Sequence, residues 1–281
     1  MMTSFHTMQL DQLNIFYRES GDSQKPTMIL FHGFPSASHM FRDLMPLLEN
    51  NFHLIAPDYP GFGQSSMPDH EHFTYTFNHI ADIMTDFIEK LGLKKFYMYV
   101  FDYGAPIGFQ IAANHPDWIQ GIVSQNGNVY REGLGEKWAT RQDFWDNPTP
   151  EKRDSYRSAF APATIKGQYL TGTPANAVGP DGYTLDITYT QNPNYAENQL
   201  DLIFDYQNNI KQYPKFQTYL RENQPKLLAI WGRNDPSFIF PGAEAFAKDD
   251  QNAVVKAVDS GHFALESHAA EIAQSIMETF C

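Results

Sequence analysis

Three residues far apart in the chain carry groups that could act together on one bond. Asp102 stands in Tyr99-Val100-Phe101-Asp102-Tyr103-Gly104-Ala105-Pro106-Ile107-Gly108, where an apolar run turns abruptly into a Gly- and Ala-rich helix start. Asp235 closes the apolar run Ile230-Trp231-Gly232-Arg233-Asn234-Asp235, and His262 follows another, Val254-Val255-Lys256-Ala257-Val258. Taken singly, each has a structural reading: an Asp at a strand end often caps the helix that follows, and a lone loop His is usually structural. Taken together, they would gather beyond the carboxyl edge of an open parallel sheet, where ligands bind. The available chemistry is attack by one carboxylate, followed by base catalysis from an imidazole that the other carboxylate orients.

Such convergence needs a sheet whose strand ends lie side by side. Residues 8–17 alternate polar and apolar about a break at Asp11-Gln12, which predicts a hairpin. Met28-Ile29-Leu30-Phe31, Leu54-Ile55-Ala56, Phe96 to Phe101, Ile122-Val123 and Leu227 to Trp231 are short continuous apolar runs, as expected of parallel strands covered on both faces. Phe77, Ile80, Ala81, Met84, Phe87, Ile88 and Leu91 recur at helical spacing, with Asp82, Asp86 and Lys90 on the other face. Strand–helix alternation predicts an α/β fold with helices on both sides of the sheet. The alternation stops near Asn128 and resumes near Lys226, so core segments 1–127 and 226–281 are expected to flank an inserted, mainly helical cap at 128–225, with helical pieces near 150–160 and 195–221.

The chain has 281 residues, 42% of them hydrophobic and 15% aromatic, enough apolar area for one large core with an insertion. Lys+Arg 20 against Asp+Glu 33 gives a net charge of -13, which argues against nucleic acid or an anionic membrane surface as partner. The one cysteine, Cys281, rules out an intramolecular disulfide, and with no signal-peptide pattern at the N-terminus a cytoplasmic location is expected. His70-Glu71-His72 lacks a third ligand, and Gly61-Phe62-Gly63 lacks the rest of a nucleotide loop, so neither metal nor cofactor is expected. The expected partner is a small, largely apolar substrate in an aromatic cap; oligomeric state is not legible.

The set resembles the α/β-hydrolases of the group that includes haloalkane dehalogenases, fluoroacetate dehalogenases and epoxide hydrolases. The landmarks are His32-Gly33-Phe34-Pro35, Asp58-Tyr59-Pro60-Gly61-Phe62-Gly63-Gln64-Ser65, the Asp102 turn, Asp235 and Gly261-His262-Phe263. Their chain order, nucleophile then acid then His, is that of the α/β-hydrolase triad. The resemblance implies a mostly parallel eight-stranded sheet, Asp102 as nucleophile, His262 as base, Asp235 as its orienting acid, and an oxyanion hole from the amides of Phe34 and Tyr103. In that group the peptide bond before the residue matching Pro35 is often cis. Asp58, Gly61 and Gly63 read as turn residues, and Arg42 as an ion-pair partner.

A carboxylate nucleophile implies an sp3 electrophile, because a carboxylate is already ionised at neutral pH (ordinary pKa ~3.9) and would give only an anhydride with an ester. The product of attack is an alkyl ester, which His262 and a water would hydrolyse. For the leaving group, Val100 and the stretch from Asp102 to Phe109 resemble haloalkane dehalogenases, although those carry Trp where this chain has Tyr103. Fluoroacetate dehalogenases carry arginines just after the nucleophile, and none is present here, so fluoroacetate is not expected. In the cap, the segment Asp205 to Asn209 resembles one that supplies a phenol to the leaving group in both epoxide hydrolases and fluoroacetate dehalogenases, with Tyr206 as the donor, and Phe144-Trp145 stands where the first of the two epoxide-hydrolase tyrosines would fall. An indole N–H from Trp145 suits a halide, which needs no proton. Carbon–halogen cleavage is therefore the preferred reading and epoxide hydrolysis the alternative; Phe144, Trp145 and Tyr206 equally fit as cap packing. A ligand receptor on the same fold and cofactor-free oxygen chemistry are further alternatives.

Overall fold

The apolar runs become strands with both faces covered by helices, and for that reason they show no alternating polar face. In the computed structural model, which describes residues 2–281, β5 (Phe96–Phe101) divides its side chains between two layers. Phe96, Met98 and Val100 enter the core on one face of the sheet, and Tyr99 and Phe101 the core on the other. β3 (Thr27–Phe31) does the same with Ile29 and Phe31 against Met28 and Leu30.

These strands join β1 (Ser4–Leu10), β2 (Leu13–Ser20), β4 (His53–Pro57), β6 (Ile119–Gln125), β7 (Lys226–Gly232) and β8 (Ala253–Val258) in one eight-stranded sheet, ordered β1-β2-β4-β3-β5-β6-β7-β8. β1 and β2 form the expected antiparallel hairpin, β2 also runs antiparallel to β4, and every pairing from β4 to β8 is parallel. Helices α2 (Phe77–Lys90), α3 (Gly104–Asn114) and α9 (Pro241–Asp249) cover one face; α1 (Met45–Leu48) and α10 (Leu265–Phe280) cover the other. The start of α2 is fixed by Thr76, whose hydroxyl accepts from the His79 amide at 3.2 Å, a cap of the kind worth ~1 kcal/mol.

Between β6 and β7 lies the inserted helical cap, with α4 (Trp138–Asp146), α5 (Pro150–Ser155), α6 (Pro162–Leu170) and α7 (Asp181–Tyr189), leading into the long α8 (Tyr195–Asn223). α5, with the 3-10 turn Tyr156–Phe160 after it, and α8 fall where helical pieces were expected. α4, α6 and α7 were not separately anticipated, because their short polar sequences have no sustained apolar period. Buried polar contacts tie cap to core: the Phe77 amide donates to Asp205 Oδ2 at 2.8 Å, Asn198 Nδ2 donates to the Tyr75 hydroxyl at 2.9 Å, and Asp186 lies 3.2 Å from His39. Among the described residues no helix is long and apolar enough to cross a membrane, and no group of three or more His, Cys, Asp or Glu is arranged to hold a metal ion.

Candidate active site

Asp102 occupies the turn between β5 and α3 with φ 47, a left-handed conformation that costs a non-glycine residue roughly 1–3 kcal/mol. Its neighbours make that turn possible. A Cβ on Gly33 would lie 2.4 Å from Asp102 Cβ, and one on Gly104 would lie 2.3 Å from the Phe31 carbonyl oxygen. Only glycine at both positions lets the loop after β3 come this close to the carboxylate. The Phe34–Pro35 bond in that loop is cis, and the Phe34 amide donates to Asp102 Oδ1 at 2.7 Å. His32 steadies the same loop: its Nε2 accepts from the Tyr59 amide at 3.3 Å, so Nδ1 carries the proton and donates to the Gly33 carbonyl at 3.2 Å. Burial lowers the His32 pKa to about 3, which keeps this ring neutral.

The other carboxylate oxygen of Asp102 faces His262, with Oδ2 and Nε2 3.6 Å apart. His262 Nδ1 is 2.6 Å from Asp235 Oδ2. Asp235 is in turn held at both oxygens, Oδ1 accepting from the amides of Ser237 (2.7 Å) and Phe238 (3.1 Å), and Oδ2 from Asn126 Nδ2 (2.7 Å). Burial alone would lower the His262 pKa, but the charges and hydrogen bonds of Asp235 and Asp102 outweigh it and raise it to about 10. The surroundings of His262 thus favour its protonated form. If Asp102 lost its charge by ester formation, much of that support would go, and the imidazole would be free to act as a base.

Asn126 was missed in the sequence. It follows β6 with φ 47, and its Oδ1 accepts from the Gly232 amide at 2.9 Å and from Gln125 Nε2 at 2.6 Å. Gln125 Nε2 also donates to the His262 carbonyl at 3.1 Å, so this pair links the ends of β6 and β7 to the His262 loop. The available signal was Ser124-Gln125-Asn126-Gly127-Asn128, a polar cluster at a strand end like those that drew attention to Asp102 and Asp235.

A cavity of about 390 Å³ opens over these groups, lined among others by Phe34, Asp102, Tyr103, Trp138, Arg141 and His262. A smaller one of about 220 Å³ shares Lys137, Ser237 and His262 with it. The expected cap aromatics Phe144, Trp145 and Tyr206 are not among the residues lining the larger cavity. Phe144 packs against the rings of Tyr156 and Phe204, each with centroids 5.3 Å away. The Trp145 indole donates to the Ile203 carbonyl at 3.2 Å. Tyr206 is buried behind the wall, 4.7 Å from Trp138 and 5.8 Å from Tyr103 between centroids, with its hydroxyl 3.4 Å from that of Tyr213.

The sequence had pointed to the right helix but the wrong end of it. Trp138 and Arg141, in the first turn of α4, reach the cavity, whereas Phe144 and Trp145, in its last turn, pack within the cap. The Trp138 indole donates to the Ser237 carbonyl at 2.9 Å and presents its face to Arg141, whose guanidinium lies 4.4 Å from the ring centroid. A cavity holding Arg141 and Lys137 is also less apolar than the sequence led one to expect. Tyr103 lines it too, and its buried hydroxyl lies beside the Arg141 guanidinium. Asp58 and Arg42 lie outside this wall: Asp58 accepts from the amides of Ser38 (2.7 Å) and Gln64 (2.8 Å), and Arg42 forms a paired contact with Glu266 at 3.0 and 2.7 Å.

Residues 26–269 match the family model of the alpha/beta hydrolase fold. The chain belongs to that family. It is 43% identical to the uncharacterized hydrolase YNR064C of Saccharomyces cerevisiae, over 100% of this chain and 98% of that one. It is 27% identical to haloalkane dehalogenase 2 of Mycobacterium tuberculosis, over 95% of this chain and 91% of that protein. The solved structure of the epoxide hydrolase CorEH superposes with a TM-score of 0.80 at 16% identity, covering 99% of each chain, a likeness of fold.

Proposed function

We propose that this hydrolase cleaves a bond from an sp3 carbon to a heteroatom through an ester formed on Asp102. The observation that carries this reading is the Phe34 amide, which already donates to Asp102 Oδ1 at 2.7 Å. In a serine hydrolase such an amide awaits a carbonyl belonging to the substrate; here it holds the oxygen that becomes the carbonyl of the enzyme's own ester. Attack by Oδ2 on carbon expels the leaving group with its bonding electrons and leaves Oδ1 in place. Water then adds to Cγ, giving its proton to His262, while the charge that develops on Oδ1 is met by Phe34 and, in the same reading, the Tyr103 amide. Collapse returns the Asp102 carboxylate and releases an alcohol.

On the leaving-group side, this reading favours an epoxide oxygen over a halide. The Trp145 indole that suited a halide is committed to Ile203, whereas the Tyr103 hydroxyl, on the cavity wall next to Asp102 and beside the Arg141 guanidinium, keeps its own O–H for a ligand. An O–H can transfer a proton to an opening alkoxide, and the tyrosinate left behind is reprotonated through solvent. Carbon–halogen cleavage is the second reading, favoured by the near full-length sequence likeness to haloalkane dehalogenase 2.

The test is intact-protein mass spectrometry of His262→Phe after incubation with styrene oxide and, in parallel, with 1-bromobutane. Removal of the base leaves the first step and blocks the second, so an adduct should accumulate and be absent from the His262→Phe/Asp102→Asn double variant. The reagent that gives the adduct decides between epoxide and halide. An adduct that persists without Asp102, or none from either reagent, would sink the mechanism and return the receptor reading to the front.

A further inference from the structure

Arg141 Nη1 is buried at the catalytic cavity and has no hydrogen-bond partner. Among the described residues no carboxylate lies within ion-pair distance of this guanidinium, nor of Lys137 on the same wall. The chain does not lack acids to supply one, with Asp+Glu 33 and a net charge of -13. Four other arginines are paired with carboxylates, Arg42 with Glu266, Arg153 with Glu197 and Asp201, Arg157 with Asp154 and Glu197, and Arg221 with Asp249. Arg141 is half-buried, and a guanidinium nitrogen taken out of water without an acceptor is costly to hold. The one acid lining the cavity, Asp102, is engaged by the Phe34 amide and faces His262. The Arg141 site is therefore built to receive an anion from outside the chain.

Position narrows the class of anion. Trp138 supports the guanidinium 4.4 Å from its ring centroid, and Trp138 is itself fixed to the Ser237 carbonyl, so Arg141 is a placed group and not a trailing surface chain. The cavity, about 390 Å³, lies at the small end of ligand sites, which are roughly 300–1,000 Å³. Arg141 and Tyr103 lie on the same wall, so the charged group and the leaving group of one substrate must be close together. A planar carboxylate suits the forked donors of arginine.

We propose that the substrate is a small electrophile bearing a carboxylate next to the reacting carbon, an epoxy acid in the first instance, anchored by Arg141 with Lys137 at the rim. The proposal rests on Asp102 as nucleophile. Asp102 Oδ2 bonds to the epoxide carbon, the C–O bond breaks toward the ring oxygen, which is protonated, and one water is consumed to give a dihydroxy acid.

The experiment compares charge-matched pairs: 3-phenylglycidate with 3-phenylglycidamide, and 2-bromopropanoate with 2-bromopropanamide. Wild-type kcat/KM should favour the acid of at least one pair. Arg141→Met should lower the acid-to-amide ratio roughly 10- to 100-fold, and Arg141→Lys should restore part of it, chiefly through KM. A ratio that does not move in Arg141→Met, while His262→Phe still forms an Asp102 adduct, overturns the anion site and leaves the nucleophile standing. An equal fall for acid and amide makes Arg141 a leaving-group or packing residue and also overturns it. No adduct with any of the four probes overturns both readings.

Discussion

Phe34 and Asp102 are joined by a 2.7 Å hydrogen bond from the amide of one to Oδ1 of the other, which leaves Oδ2 directed at His262. The two oxygens of one carboxylate are thereby made inequivalent before any substrate arrives: one is held as a future carbonyl, the other is kept for bonding to carbon.

Gly33 sets this contact, because a Cβ there would fall 2.4 Å from Asp102 Cβ and 2.7 Å from its Oδ1. Gly33→Ala should displace the amide from the carboxylate and lower turnover by about 10²- to 10³-fold, the usual effect of losing one oxyanion donor. Steady-state kinetics with circular dichroism as a folding control checks this; a folded variant with near-normal turnover would remove the amide from the mechanism.

His262 links stability to pH. Its pKa rises from an ordinary 6.5 to about 10 on folding, so the stabilisation is fully present below pH 6.5 and is lost as pH climbs through about 10. Urea unfolding of the wild type should therefore show stability falling across that window. His262→Phe should be flatter over the same range. Equal slopes would mean that the imidazolium is not held between the two carboxylates.

Asn126 supports Asp235 and the Gly232 amide together. Asn126→Leu leaves both buried groups short of a partner and should cost roughly 2–6 kcal/mol of stability, at about 1–3 kcal/mol per unsatisfied group. Because its link to chemistry runs through Asp235 and His262, ester hydrolysis should slow more than ester formation, so that adduct accumulates in single-turnover mass spectra. Equal slowing of both steps would reduce Asn126 to a structural role.

Trp145 separates packing from chemistry. Its N–H donates to Ile203 in the cap, so Trp145→Phe should lower Tm by a few degrees, as expected for the loss of ~1 kcal/mol in a chain of this size, with little effect on kcat. A large fall in kcat with bromoalkanes, with unchanged stability, would reinstate the indole as a halide donor.

The sheet domain was legible because burial on both faces leaves a pattern that survives in one dimension: β3, β5 and β7 are continuous apolar runs between helical segments. Asp102, Asp235 and His262 could be read for the same reason, since each sits at the end of such a run. The cap could not be read in the same way. Its helices are short, and which end of α4 meets the cavity depends on how α4 seats against α8 and the Ser237 loop, contacts between segments far apart in the chain. Hence Trp145 stood out as an aromatic while Arg141, four residues before it on a polar stretch, did not. Asn126 was hidden differently: its work is done by hydrogen bonds to partners more than 100 residues away, which leave no local period.

The cap leaves the sheet after β6 and returns at β7, and these two strands are hydrogen-bonded neighbours. Its ends are therefore clamped at a fixed separation by the ladder, whatever lies between them. Trp138 and Arg141 belong to this excursion, whereas Asp102, Asp235 and His262 do not. The cap's share of the cavity wall, Trp138 and Arg141 included, can thus differ in sequence without shifting the strand ends that carry Asp102 and Asp235. A graft of residues 128–225 from another member of the family onto this sheet is the corresponding engineering route to a new preference.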